Sequence, residues 1–260
     1  MESGSQVHYF PDLESLEAVM GYEPMVASLQ TTLPNHDIEG YFKRKPTLLA
    51  QADHLALAWD GPPDEPDSAV IGLIAIRNYA SQNAAPAFIH ISTLHVAETQ
   101  HKSLLLMRMI ATIYIAIWQQ EGQLPTWTAI KTFNPSVYHL LLGLQRMVSN
   151  GALLYPAFTE SSTNYDDELL KDVVKHIAVQ LEPKCLFDIA MGTIRGGGGP
   201  VAGSYWPVTP RSSRSEINQF FDERLAPTDR MLCVLGLHSQ SSKKAAINLL
   251  TRWITKANEP

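Results

Sequence analysis

FIHISTLHVAETQHKSLLLMRMIATIYIAIWQQ, residues 88–120, is the stretch whose reading decides the fold. Phe88 to Val96 alternates β-branched and apolar residues with polar ones and predicts a strand. From Ser103 to Gln120 the residues are apolar on nearly every face, which predicts a helix covered on both sides rather than a surface amphipath. Its most apolar part, Leu104 to Trp118, is interrupted by Arg108 and falls short of the roughly 20 residues that a membrane span needs. A buried helix therefore follows a long strand through a short polar loop, AETQHK.

Upstream, Gln6 to Phe10 is a short β-prone piece. After Pro11 the spacing of Leu13, Leu16, Val19 and Met20 is helical, with Asp12 placed as N-cap. A second helical stretch around Met25 to Leu29 ends before Pro34 and Asn35. Within the apolar runs His54 to Trp59 and Ala69 to Tyr79, Leu55–Trp59 and Val70–Arg77 read as an antiparallel hairpin closed by the turn-rich GPPDEPDS, Gly61 to Ser68.

Downstream, Thr126 to Thr132 returns to β character. Asn134-Pro135 is a helix start, with Asn134 as N-cap and Pro135 at the first helical position. Val137, Leu140, Leu141 and Leu144 line one face of that helix, which stops near Gly151. Beyond it the pattern predicts an apolar piece at Leu153–Phe158, a helix over 167–181, a strand over 186–194, a helix over 216–224, a strand over 231–237 and a last helix over 243–256. Between them lie the glycine run Gly196 to Gly199 and the loop SYWPVTPRSSRS, in which Tyr205 and Trp206 either wall a substrate pocket or, on the plainer reading, anchor the loop to the core.

Composition narrows the function classes. Apolar residues make up 45% and charged residues 18% of the 260, as in ordinary globular chains. The formal charge of −6 and the lack of a sustained Lys/Arg cluster argue against nucleic acid as a partner. Cys185 and Cys233 are too few for a disulfide framework or a zinc site, and the first residues carry no secretory pattern, so the expected setting is the cytoplasm, with no membrane partner. There is no Gly-x-Ser-x-Gly elbow and no HExxH, and the glycine run lacks the Lys-Ser/Thr of a nucleotide-binding loop. The run reads as a mobile loop.

The order strand, two helices, hairpin, long strand, buried helix, strand, helix over residues 6–150 resembles the GNAT N-acetyltransferase superfamily. In that family a loop of the form Gln/Arg-x-x-Gly-x-Gly/Ala leads from the central strand into a helix whose backbone N–H groups hold the pyrophosphate of coenzyme A, as any helix N-terminus receives an anion. The similar stretch here is LHVAETQHKSLLLMRMI. The resemblance implies acetyl-CoA or another acyl-CoA as cofactor, held along the strand end Leu94, His95 and Val96 and the loop Gln100, His101, Lys102, Ser103 and Leu104. Gln100 stands at the Gln/Arg position, Ser103 and Leu105 where the glycines would be, and Lys102 could add charge for the phosphates. The loop is one residue shorter than usual, and a side chain at Leu104 or Leu105 could block a close approach to the backbone. WTAIKTFNPSVYHLLLGL, Trp127 to Leu144, is similar to the next strand and helix of the family, where an asparagine contacts the pantetheine arm. Asn134 serves either there or simply as a helix cap.

Acyl transfer to an amine needs a proton acceptor with a pKa near the working pH, for which histidine is suited. His90 lies six residues before Val96, which resembles the site of the base glutamate in the histone-acetylating branch; the plainer reading is a hydrogen-bonded core histidine. Many family members protonate the leaving thiolate with a tyrosine seven residues after the asparagine. That position here is Leu141, and the nearest tyrosine, Tyr138, is the catalytic candidate.

The resulting expectation is an α/β (α+β) chain with a GNAT-like mixed, mostly antiparallel central sheet flanked by helices. Residues 1–150 form the acyltransferase core and 151–260 a large C-terminal elaboration, whose strand near 231–237 is a candidate to complete the same sheet. The activity the resemblance implies is transfer of an acyl group from acyl-CoA to a small-molecule or peptide amine acceptor, in a chain compatible with a homodimer. The alternative is a catalytically inactive relative acting as a ligand- or protein-binding module, which the missing glycines and the displaced tyrosine support.

Overall fold

A computed structural model describes residues 5–65, 67–82, 86–100, 104–148, 151–158, 167–198 and 211–257. Its elements run β1 (Gln6–Phe10), α1 (Leu13–Glu17), α2 (Tyr22–Thr32), α3 (Ile38–Arg44), β2 (His54–Trp59), β3 (Val70–Tyr79) and β4 (Phe88–Val96). After a 3-10 turn at Glu98–Gln100 come α4 (Leu105–Glu121), β5 (Trp127–Thr132), α5 (Pro135–Val148) and β6 (Ala152–Tyr155). The chain continues through α6 (Asp167–Leu181), β7 (Phe187–Asp188), β8 (Thr193–Ile194), α7 (Ser215–Asp222), β9 (Arg230–Leu237) and α8 (Gln240–Ala257). It is a mixed α/β protein with largely antiparallel strand pairing.

The chain divides into two compact units. One comprises Met1–Asn78, Ile91–Leu124 and Lys243–Pro260, the other Tyr79–His90 and Pro125–Ser242. The division passes through β3 and β4, and β5 and α5 group with the later residues.

In the first unit β1 pairs antiparallel with β2 from Gln6↔Trp59 to Phe10↔Leu55, and β2 with β3 from His54↔Ile76 to Trp59↔Val70. Every residue of β2 is buried, so the strand is apolar throughout rather than alternating. The helix α4 packs on β1 and β2. From Leu105 to Ile117 no residue of it is exposed, and Met109, Ala111 and Ile113 are fully enclosed. Contact with β3 is equally close: a Cβ placed on Gly72 would lie 2.7 Å from the Met109 sulfur. Asp12 caps α1 as its position in the sequence predicts, its Oδ1 accepting from Ser15 N at 2.7 Å. The helix α3 is an addition to the sequence reading. Asp37 nucleates it by accepting from Gly40 N at 2.9 Å, and its glycine and paired charges hide the helical spacing of Ile38, Tyr41 and Phe42.

In the second unit β9 is the spine. All eight of its residues are buried. One edge pairs antiparallel with β5 from Trp127↔Gly236 to Thr132↔Met231. The other edge is shared by β6, from Ala152↔Leu237 to Tyr155↔Val234, and by β8, where Thr193 meets Met231. That pairing ties β5 to a strand far later in the chain, Thr132 to Met231. Val173, Val174, Ile177 and Ala178 of α6 close the core over Leu153, Leu232 and Val234. The single strand predicted over 186–194 is instead a hairpin of two short strands, β7 and β8. Asp188 Oδ1 accepts from Met191 N at 3.2 Å, and Gly192 takes the left-handed conformation at φ 70°, so the chain reverses within the apolar run.

The expectations for His101, Lys102, Ser103, Tyr205 and Trp206 lie outside the described residues. No helix among the described residues is long and apolar enough to cross a membrane.

Because α4 is enclosed by the β1–β3 meander, Ile113→Ala, which empties a fully buried site, is expected to cost about 2–5 kcal/mol of stability. Denaturant melts check this.

Candidate functional site

Residues Leu94, Val96, Gln100 and Leu104 lie at the end of β4, in the 3-10 turn and at the start of α4, inside the first unit. Along β4 the coverage alternates: Ile91, Thr93 and His95 are buried, whereas Ser92, Leu94 and Val96 are half-covered. The period-two rule thus gives β4 one closed and one partly open face. Past Val96, Ala97 N donates to the Ile71 carbonyl at 2.8 Å and Gln100 N to the Ala97 carbonyl at 2.9 Å, which turns the chain toward α4.

Leu104 is the N-cap residue of α4 and makes no side-chain cap bond, and the first turn carries no acidic residue. The other described helices differ. Acidic residues occupy the first turns of α1, α2, α3 and α7, and α6 begins Asp167-Glu168. In α5 Ser136 N is capped by Asn134 Oδ1 at 2.8 Å, and in α8 Ser242 N by Ser239 Oγ at 3.0 Å. Among the described residues α4 alone has neither device, so the positive end of its dipole is not offset by a carboxylate or by an oxygen of its cap residue. Leu105, which stands at the second glycine position, and its neighbour Leu104 differ in burial: Leu105 is 1% exposed and Leu104 54%. Leu105 faces the core and does not fill the helix mouth.

His95 faces away from this open side. Its ring lies 5.2 Å from Tyr41 and 5.7 Å from Phe42, edge or tilted. Its Nε2 is 3.1 Å from Thr93 Oγ1, which in turn is 3.2 Å from the Tyr41 hydroxyl. Burial, reinforced by His36 and Lys45, pushes its pKa down to about 3. The imidazole is neutral at physiological pH and belongs to the wall of the site rather than to its proton chemistry. On the surface side of this wall, Asn35 Nδ2 donates to both oxygens of Glu98, at 3.2 and 3.3 Å, and His36 Nδ1 lies 3.5 Å from Glu98 Oε1. No local pattern marks the His36–Glu98 contact, because its members are 62 positions apart and Asn35-His36 follows a helix-ending proline.

Asn134, Tyr138 and His90 belong to the second unit. Asn134 acts as a cap through Oδ1, and its own N–H donates to Thr132 Oγ1 at 2.9 Å. Tyr138 is fully enclosed. Its hydroxyl donates to the Pro156 carbonyl at 2.6 Å, and its ring stacks on Phe220 at 5.4 Å. Burial, with the neighbouring Cys233, raises its pKa well above the usual phenol range. A phenol so placed holds α5 to the β6 end; it is not poised to give up its proton. His90 packs edge-on to Tyr79, which is itself stacked on Phe88 at 4.5 Å. The described part of the glycine run is anchored: Gly196 N donates to Asp229 Oδ1 at 2.9 Å and Gly198 N to the Thr228 carbonyl at 2.8 Å. Among the described residues no cluster of His, Cys, Asp or Glu is arranged to hold a metal ion.

No family model and no curated protein sequence matches the chain. Solved structures that resemble it include the NatC complex bound to Gag peptide and CoA, at TM-score 0.34 and 18% identity, covering 53% of this chain and 81% of that one. An IAA acetyltransferase from Bacillus cereus aligns at TM-score 0.35 and 12% identity over 58% and 78% of the two chains. A GNAT family acetyltransferase from Elizabethkingia anophelis with acetyl-CoA bound aligns at 0.35 and 14% over 63% and 86%.

Two outcomes follow from the placement of these side chains. With His95 depressed in the folded state, stability is full above the unfolded-state value near 6.5 and declines as pH falls toward 3, by up to about 1.4 kcal/mol per pH unit. Denaturant melts of His95→Gln against pH should show a shallower acid decline than the parent. Tyr138→Phe leaves the Pro156 carbonyl without its donor and is expected to cost about 1–3 kcal/mol, read in the same melts.

Proposed function

We propose that this chain is an acyltransferase that moves an acetyl or other acyl group from acyl-CoA to the amine of a small molecule or peptide. The observation that carries the reading is the start of α4, the described helix with neither a carboxylate in its first turn nor a side-chain cap bond from its N-cap residue, placed at the end of the half-open face of β4. A helix mouth of this kind suits a pyrophosphate, whose charge meets the dipole and the first-turn amides.

The residues fit such a donor. Leu105 is turned into the core, and of the two leucines Leu104 is the exposed one, so Leu105 packs no apolar side chain across the mouth of α4. Leu94 and Val96 offer apolar surface beside the junction, and Gln100 a polar one. Bound acyl-CoA supplies a thioester carbonyl activated toward an amine; the chain supplies position and charge complementarity.

A second reading, a catalytically silent module that binds an acyl-CoA or a partner, is favoured by one observation: the Tyr138 hydroxyl is already committed to a carbonyl. Thiol release from acetyl-CoA, measured against a panel of primary amines, separates the two. Amine-dependent release supports the transferase; saturable binding of acetyl-CoA with no release above the buffer rate for any amine supports the silent module.

Leu104→Asp tests the donor site itself with effects of opposite sign. A carboxylate at the N-cap should stabilise the protein by about 1 kcal/mol while weakening acetyl-CoA binding about tenfold by repelling the pyrophosphate. Equal affinity in parent and variant would remove the α4 mouth from the site.

A further inference from the structure

We infer that the hydrogen bond between His139 and Ser212 is an acid-released latch, which holds the strap of residues 211–214 on α5 at neutral pH and lets it go when the imidazole takes a proton. The latch lies wholly within the second unit and is independent of the acyltransferase reading.

The strap leads into α7 and is fastened to its two neighbours differently. Toward α7 the bonds are local in sequence. Ser212 N donates to Asn218 Oδ1 at 2.8 Å, and Asn218 Nδ2 donates back to the Ser212 carbonyl at 3.0 Å. Arg211 Nη1 reaches both oxygens of Asp222, at 2.9 and 2.7 Å, and Arg214 Nε donates to Glu216 Oε1 at 2.8 Å. Toward α5 the strap is held by Ser136 Oγ, which donates to the Arg211 carbonyl at 3.0 Å, and by Ser212 Oγ, 2.9 Å from His139 Nδ1. Of the groups that join strap and α5 in this way, only the imidazole changes charge between about pH 5 and pH 8. The helix α7 itself is held by Phe220 and Phe221, whose rings pack on Tyr138, so release concerns the strap.

The serine fixes the direction of the bond. Its Oγ accepts from Arg214 N at 3.2 Å, and among the described residues the acceptor placed for its own hydrogen is His139 Nδ1. Ser212 is 8% exposed, so a hydrogen without that acceptor would be buried unsatisfied. The closed latch therefore requires a neutral imidazole with its proton on Nε2 and its lone pair on Nδ1.

A second proton sets donor against donor across the contact. It also places an imidazolium between two arginines: Arg214 faces the ring from the strap and Arg146 from α5, against one carboxylate, Glu216, which Arg214 already engages. The remaining elements packed on α5 bring no countercharge. Asp222 and Glu223, at the end of α7, are engaged by Arg211 and Gln219; β6 carries no charged side chain; Lys131 of β5 is held by Glu182, and Arg230 of β9 lies over Phe133. Burial first, and then the two arginines, hold the His139 pKa below its usual 6.5. The latch is thus closed above that value and opens as pH falls through the depressed one.

Hydrogen–deuterium exchange of the full chain tests this, read by mass spectrometry on peptides spanning 211–216 and corrected for the intrinsic rate, from about pH 8 to about pH 5. Strap exchange in the parent is expected to be constant at the alkaline end and to rise by up to about tenfold per pH unit below the midpoint, while β9 peptides stay unchanged. The midpoint should match the titration of the His139 ring followed by proton NMR. His139→Asn replaces the ring with a side chain that does not titrate and should show no rise; Ser212→Ala, which removes the hydroxyl, should exchange fast at every pH. Strap exchange in the parent that does not change with pH, a midpoint that departs from the His139 titration, or a parent-like rise in His139→Asn would each overturn the latch.

Discussion

Burial of α4 against the β1–β3 meander is the constraint on which the first unit depends. Its thirteen residues from Leu105 to Ile117 are all covered, so the helix cannot slide or turn without exposing apolar surface at about 25 cal/mol per Å². The cost of that rigidity is that the helix has no spare polar face. The gain is that its N-terminus is fixed at the end of β4, with Leu105 inward and Leu104 outward. A site formed from backbone amides needs that kind of fixed support more than it needs particular side chains.

The second unit is organised differently. There a single strand, β9, is buried along its whole length and satisfied on both edges, by β5 on one and by β6 and β8 on the other. Residues that the sequence order would set apart as a late elaboration are thereby part of the same hydrogen-bonded sheet as β5. Asn134 and Tyr138 stand at the start of the helix that follows β5, and their hydrogen bonds are spent on holding that helix: a cap for Ser136 N and a tie to Pro156.

How much could be read beforehand follows from the range of each interaction. Strands and helices with strong periodicity, such as β4, α4, α5 and α6, were legible because their signal is local. The helix α3 was not, since its only strong cue is Asp37 followed by a glycine. The β7–β8 hairpin hid inside an apolar run, where Gly192 is the one residue that marks a reversal. At the site, the β4–α4 junction was visible from the order of elements, and so was the departure at Leu105. The direction in which Leu105 points was not, because it depends on packing against strands far away in sequence. Tyr138 was sought as an acid on spacing alone, whereas its surroundings, Phe220, Phe221 and the Pro156 carbonyl, come from segments no local pattern links to it. The His36–Glu98 pair is the same case in reverse, a contact between two ordinary loop residues.

The central claim is that the start of α4 receives the phosphates of an acyl-CoA, and calorimetric titration of the purified chain with acetyl-CoA at low ionic strength tests it most directly. The account predicts saturable one-site binding that weakens with added salt, as an anion at a helix N-terminus should. Absence of heat up to about 1 mM, equivalent to binding weaker than roughly −4 kcal/mol, would contradict it.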